Sequence, residues 1–245
     1  MRTSNPALKD EIFRRESATA ADGVMTLNGT TMKSFLLILL VTFSAAFTWR
    51  ETMAGNTGIL MPAMLVGGLG GFIVAMVTVF KPRLAPITAP FYAVLEGLIL
   101  GALSAYYQQR WAGIPMQAVG LTLMVFLAML VVYRTRIIKV TDKFRFGVAA
   151  ATGGIALFYF LSIILSMFGV RIPLLNDAGM LGIGLSLVIV GVAALNLVLD
   201  FDLIERGVAA GAQKYMEWYA GFGLLVTLVW LYLEMLRLLS KMNRR

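Results

Sequence analysis

Apolar residues in this chain fall in long unbroken runs separated by short polar links. Seven runs approach the ~20 residues that cross ~30 Å of hydrocarbon. They cover 34–53, 59–80, 88–107, 114–133, 147–169, 179–201 and 219–240. A backbone in lipid must satisfy its own hydrogen bonds, so each run predicts a helix. Barrel strands would alternate in segments of about ten residues, and these runs do not alternate. The expected fold is all-α, a polytopic membrane protein forming one seven-helix transmembrane domain over 34–245. Residues 1–33 are polar, mixed in charge and without the apolar core of a signal peptide. They predict a cytoplasmic N-terminal tail, partly disordered.

Composition agrees. The chain has 245 residues, 59% hydrophobic and 14% charged, against about 25% charged in a soluble domain. Its mean hydropathy is +0.82. It contains no Cys and no His. That excludes disulfides, thiolate nucleophiles and His-based zinc sites, and with them Ser/His or Cys/His hydrolysis. The expected protein is not an enzyme and requires no cofactor. Without His, a pH response near neutrality falls to carboxylates.

The net charge of +8 would suit nucleic acid in a soluble domain. With seven spans it reads instead as basic loops beside anionic lipid, so the expected partner is the bilayer and no nucleic acid. Lys and Arg cluster in the tail (Arg2, Lys9, Arg14, Arg15, Lys33), at Lys81 and Arg83, over Arg134–Arg145, and at Arg206 and Lys214. The opposite links hold Arg50, Arg110 and Arg171. This places the N-terminus inside. Arg237, Lys241, Arg244 and Arg245 then lie outside, against the rule. Either the last helix inserts late, carried by the bundle, or it is re-entrant.

Three carboxylates interrupt the apolar runs: Glu96, Asp200 and Glu234. A charge at the bilayer centre costs about 3 kcal/mol on insertion scales, so intramembrane acids point to function. Asn196 and Asp200 are four apart and share a helix face. Asp202 points to nearly the opposite face and predicts a surface pair with Arg206. Glu234 has Arg237 three residues on, close enough to pair along the helix. Lys81 ends the second span before Pro82. Gly67 and Gly71, and Gly97 and Gly101, have the spacing of close helix packing. The sequon Asn28-Gly29-Thr30 lies in the tail and reads as chance.

Several of these segments resemble one family. Leu199-Asp200-Phe201-Asp202-Leu203-Ile204, Leu95-Glu96-Gly97-Leu98-Ile99-Leu100-Gly101 and Leu231-Tyr232-Leu233-Glu234 resemble motifs of the transmembrane Bax inhibitor family, bacterial YccA-like branch. Met25-Thr26-Leu27-Asn28-Gly29-Thr30 is similar to the signature of a bacterial subgroup. The resemblance implies six helices around a central C-terminal helix, in a bacterial cytoplasmic (inner) membrane. It implies a pH-sensitive calcium leak gated by Asp200 and Glu234, which share a proton, with Lys81 pairing one of them. Asp200 and Glu234 would also be the calcium ligands, and Glu96 and Asn196 would line the ion path. Glu stands here for the last-span Asp of that motif, and Lys for an Arg. The alternative from another class is a non-transporting regulator whose tail binds a membrane protease or other membrane proteins.

One spacing opposes the pair. If the last helix starts near Glu217, Glu234 lies ~25 Å along it at 1.5 Å per residue. Asp200 and Glu234 then meet only if the sixth helix runs on past Ile204 and the seventh crossing starts late, near Gly221.

Overall fold

The computed structural model describes residues 23–169 and 177–244. The tail cations Arg2, Lys9, Arg14 and Arg15, with Arg171 and Arg245, lie outside the described residues. Among the described residues seven helices are long and apolar enough to cross a membrane. They are α1 (Leu27–Met53), α2 (Thr57–Phe80), α3 (Ala85–Arg110), α4 (Ile114–Arg134), α5 (Asp142–Met167), α6 (Met180–Ala209) and α7 (Met216–Met242). The shortest has 21 residues, or ~31 Å at 1.5 Å per residue. The protein is an integral membrane protein of the all-α class, and the described residues contain no strand.

Local chemistry sets the helix ends. Thr26 is extended (φ −128°, ψ 153°) and its hydroxyl accepts from the Gly29 amide, the geometry of a Thr N-cap. α1 therefore starts at Leu27, seven residues before the expected start of the first span at 34. α2 opens with a 3₁₀ turn and carries one π turn over Val66–Gly70, at a glycine-rich stretch. It ends at Phe80, and Lys81, which precedes Pro82, has left the helical conformation (φ −129°, ψ 71°). Thr141 caps α5 through the Phe144 amide. Gly211 supplies the left-handed residue (φ 65°) between α6 and α7.

The chain divides into two compact units. The first holds α1, α2, α3, the end of α6 from Asp202 and the start of α7 as far as Val226. Here the glycine pairs do what their spacing predicts. A Cβ on Gly97 would meet the Ser44 Cβ at 2.6 Å, and one on Gly101 the Thr48 Cβ at 2.8 Å. α3 thus lies directly on α1, and the Ser44 hydroxyl donates to the Val94 carbonyl at 2.7 Å. A Cβ on Gly67 would strike Ile99 in the same way. Met25, Ala85, Leu203, Ala212, Met216, Tyr219 and Ala220 form a buried cluster in this unit.

The second unit holds α4, α5, α6 up to Phe201 and α7 from Thr227. Phe201 packs against Phe126 (5.6 Å) and Tyr133 (5.9 Å between ring centroids). Large apolar side chains such as Phe160 and Met124 stay exposed, as expected of surfaces that face lipid. α7 is one uninterrupted helix of 27 residues, ~40 Å long, with no reversal of the kind a re-entrant segment needs.

Candidate functional site

In the second unit, α7 presents three polar side chains to its neighbours at a strict seven-residue interval: Thr227, Glu234 and Lys241. All three are buried. Seven residues is close to two helical turns, so they form one stripe. The partners of the stripe lie on α6 and α5.

Asp200 comes first. It is 5% exposed, and the Thr227 side chain hydrogen-bonds its carboxyl. Its other oxygen, Oδ2, is buried with no partner among the described residues. One turn away on the same face of α6, Asn196 Nδ2 donates to Thr152 Oγ1 on α5 (2.8 Å) and to the Val192 carbonyl (2.9 Å). At the other end of the stripe, Lys241 Nζ donates to Ser186 Oγ (2.8 Å) and to the Gly182 carbonyl (2.9 Å) on α6.

These two contacts fix the register of the antiparallel helices. Asp200 with Thr227 and Ser186 with Lys241 are each displaced by the same fourteen residues in opposite senses. Midway between them, Glu234 comes level with Ala193, which is fully buried.

Glu234, 1% exposed, has its own partners. Arg237 Nη1 donates to both its oxygens (2.8 and 2.9 Å). The Tyr159 hydroxyl on α5 donates to Oε1 (2.8 Å). Arg237 also hydrogen-bonds Tyr159 Oη, and its guanidinium lies 4.8 Å from the centroid of the Tyr159 ring. The pairing of Glu234 with Arg237 expected along the helix is therefore present, and Tyr159 completes it.

The expected proton-sharing pair is not formed. Asp200 is held by Thr227, seven residues or ~10 Å along α7 from Glu234, and no hydrogen bond joins the two carboxyls. The reason is helix length. α6 runs on to Ala209, which draws Asp200 inward as the pairing required, but α7 begins at Met216 rather than near Gly221. Among the described residues no group of three or more acidic, His or Cys side chains is placed to hold a metal ion.

Lys81 and Glu96 belong to the first unit. Lys81 is exposed at the end of α2. Glu96 is partly buried, hydrogen-bonded by Tyr92, with Oε2 3.6 Å from where a Cβ on Gly71 would sit. Asp202 differs from expectation: it pairs with Arg206 (2.9 Å) but is buried, 8% exposed.

Sequence reasoning missed a second buried acid cluster in the first unit. Glu217, in the first turn of α7 and 1% exposed, accepts from the Thr26 amide (2.9 Å) and hydroxyl (3.0 Å) and pairs with Lys33. Gly29 makes room for it, since a Cβ there would overlap the carboxylate. Next to it the Met25 amide donates to the Ala212 carbonyl (2.7 Å). The Met25–Thr30 segment, placed in the tail, is thus the docked start of α1. Thr26, Gly29 and Lys33 at intervals of three and four were the readable signal. Tyr159 and Thr152 gave none, being single polar residues in an apolar run.

The burial of Lys241 and the pairing of Arg237 bear on the C-terminal charges that oppose the positive-inside pattern. Lys241 is buried in the second unit, and Arg237, one-third exposed, is paired there with Glu234.

Comparison of the chain with curated proteins found no match, and comparison with solved structures found none. A family model does match, over residues 5–244 and hence nearly the whole chain. The chain therefore belongs to the Bax inhibitor 1 like family.

Proposed function

We propose that this protein is a pH-sensitive cation leak, with calcium its favoured ion and Asp200 the group at which protons and cations compete. The observation that carries this reading is the buried Oδ2 of Asp200, which has no partner among the described residues. An ionised carboxylate there lacks the partners that offset its burial. A proton or a metal cation supplies what is missing.

Hard oxygen donors suit calcium. Besides Asp200, the neighbourhood offers the Thr227 hydroxyl and the side-chain oxygen of Asn196, whose hydrogen bonds run through its nitrogen. A single carboxylate binds weakly, which suits an ion that must leave as well as enter. From Asp200 and Thr227 past Asn196 and Glu234 to Lys241, polar groups follow α7 for fourteen residues, ~21 Å, most of the hydrocarbon thickness. That column is the proposed path. Protonation of Asp200 removes the negative charge, so flux falls as pH falls. Glu234, held by Arg237 and Tyr159, is a fixed part of the wall. We place the N-terminus on the cytoplasmic side of a bacterial inner membrane.

The test is calcium entry into proteoliposomes across roughly pH 5 to 8, the range in which near-neutral switches operate. The parent should conduct more at high pH, and Asp200→Asn should conduct little at any pH. Parent-like flux and pH profile in Asp200→Asn would refute the reading.

A further inference from the structure

Lys241 sits where a cation is hard to justify on packing grounds. It is 2% exposed and lies on the same stripe of α7 as Thr227 and Glu234. Its two hydrogen-bond acceptors, the Gly182 carbonyl and Ser186 Oγ, are both neutral. Arg237, one turn earlier, is matched by Glu234 at 2.8 Å; among the described residues Lys241 has no carboxylate at hydrogen-bonding distance. Two acids, Glu234 and Asp177, and two cations, Arg237 and Arg244, act on it from further away and cancel in number. Counted over the described residues, the end of the column at Lys241 therefore carries one positive charge in excess. A buried charge with only neutral partners costs free energy that an apolar residue of the same length would not.

We infer that Lys241 is a fixed electrostatic barrier that closes the α6–α7 polar column to cations at the C-terminal end of α7. The inference rests on the leak reading and adds its gate. A cation that has reached Asp200 is ~21 Å along α7 from Lys241 and meets its like charge before leaving. Like charges repel far more strongly in partly desolvated surroundings than in water. The Glu234–Arg237 cluster between them is neutral overall and does not screen the barrier. Lys241 is a gating residue here, and its bonds to α6 hold the ammonium in the column.

The experiment uses the full-length chain in liposomes loaded with a calcium indicator. Lys241→Met keeps the length and removes the charge; it should raise calcium flux about tenfold, the change that ~1.4 kcal/mol of barrier produces. Lys241→Arg keeps the charge and should stay near the parent. Asp200→Asn combined with Lys241→Met should lose the gain. If Lys241→Met fails to fold, Lys241→Gln, neutral, polar and one bond shorter, is expected to show the same rise.

A folded neutral variant that conducts no more than the parent, while Asp200→Asn still lowers flux, removes the gate and leaves the path. An equal rise in Lys241→Arg also overturns the gate, because fit rather than charge would then be responsible. If neither the parent nor the neutral variants conduct, path and gate fall together.

Discussion

Thr227, and not Glu234, hydrogen-bonds the Asp200 carboxyl. The two intramembrane acids of α6 and α7 are one heptad out of register, and each belongs to its own cluster. Side chains ~10 Å apart without shared partners contribute independently. The effects of Asp200→Asn and Glu234→Gln on unfolding in detergent should therefore add to within about 0.5 kcal/mol. A coupling well above that would mean that the two acids form one network.

The Glu234 cluster makes a second prediction. Arg237→Met leaves a buried carboxylate with only Tyr159. Loss of one partner of a buried pair costs about 3–5 kcal/mol, and the Arg237 side chain is 33% exposed, so the loss should be nearer the bottom of that range. Glu234→Gln in the Arg237→Met background should recover part of it. Tyr159→Phe keeps the ring under the guanidinium and should cost about 1 kcal/mol, the net value of a typical hydrogen bond. Thermal unfolding of the parent and these variants checks the order.

At Gly29 the prediction is a thermodynamic cycle. A Cβ there would overlap the Glu217 carboxylate, so Gly29→Ala should destabilise by about 1–3 kcal/mol, as overpacking does. In a Glu217→Ala background the obstacle is gone, and the same methyl group should cost much less. Equal costs in both backgrounds would show that Glu217 does not touch this position.

The glycines of α3 and α5 should respond in opposite ways. Gly101→Ala forces α3 away from Thr48 and the Ala45 carbonyl and should lower the melting temperature. At Gly153 in α5 nothing lies within 4 Å of where a Cβ would sit. Gly153→Ala should be neutral or raise stability by up to about 1 kcal/mol through helix propensity.

The spans were legible in the sequence because hydrocarbon demands length and apolarity, and both can be counted. The expected second span, 59–80, starts two residues after the observed Thr57–Phe80 and ends with it. Helix starts were less legible. α1 begins seven residues early because Thr26 caps it and Glu217, almost two hundred positions away, receives its polar first turns. Without that partner, Thr26 to Lys33 reads as a solvated tail.

At the candidate site, Asp200 and Glu234 are buried, Asn196 is half-buried, and the Glu234–Arg237 pair was visible from its spacing. The register of α6 against α7 was not. It depends on where α7 starts and on Thr227 and Ser186, hydroxyl side chains that carry little signal in an apolar helix. The spacing that opposed the pair, an α7 starting near Glu217, is the one the structure has, with α7 beginning at Met216.

The polar stripe of α7 depends on chain length as much as on residue identity. Removing one residue between Thr227 and Glu234 turns everything beyond it by about 100°, the angle per residue of a helix with 3.6 residues per turn. Glu234 would swing away from Tyr159, and Lys241 away from Ser186, with every side chain in the set still present. Within this stretch a deletion is a more drastic change than any single replacement.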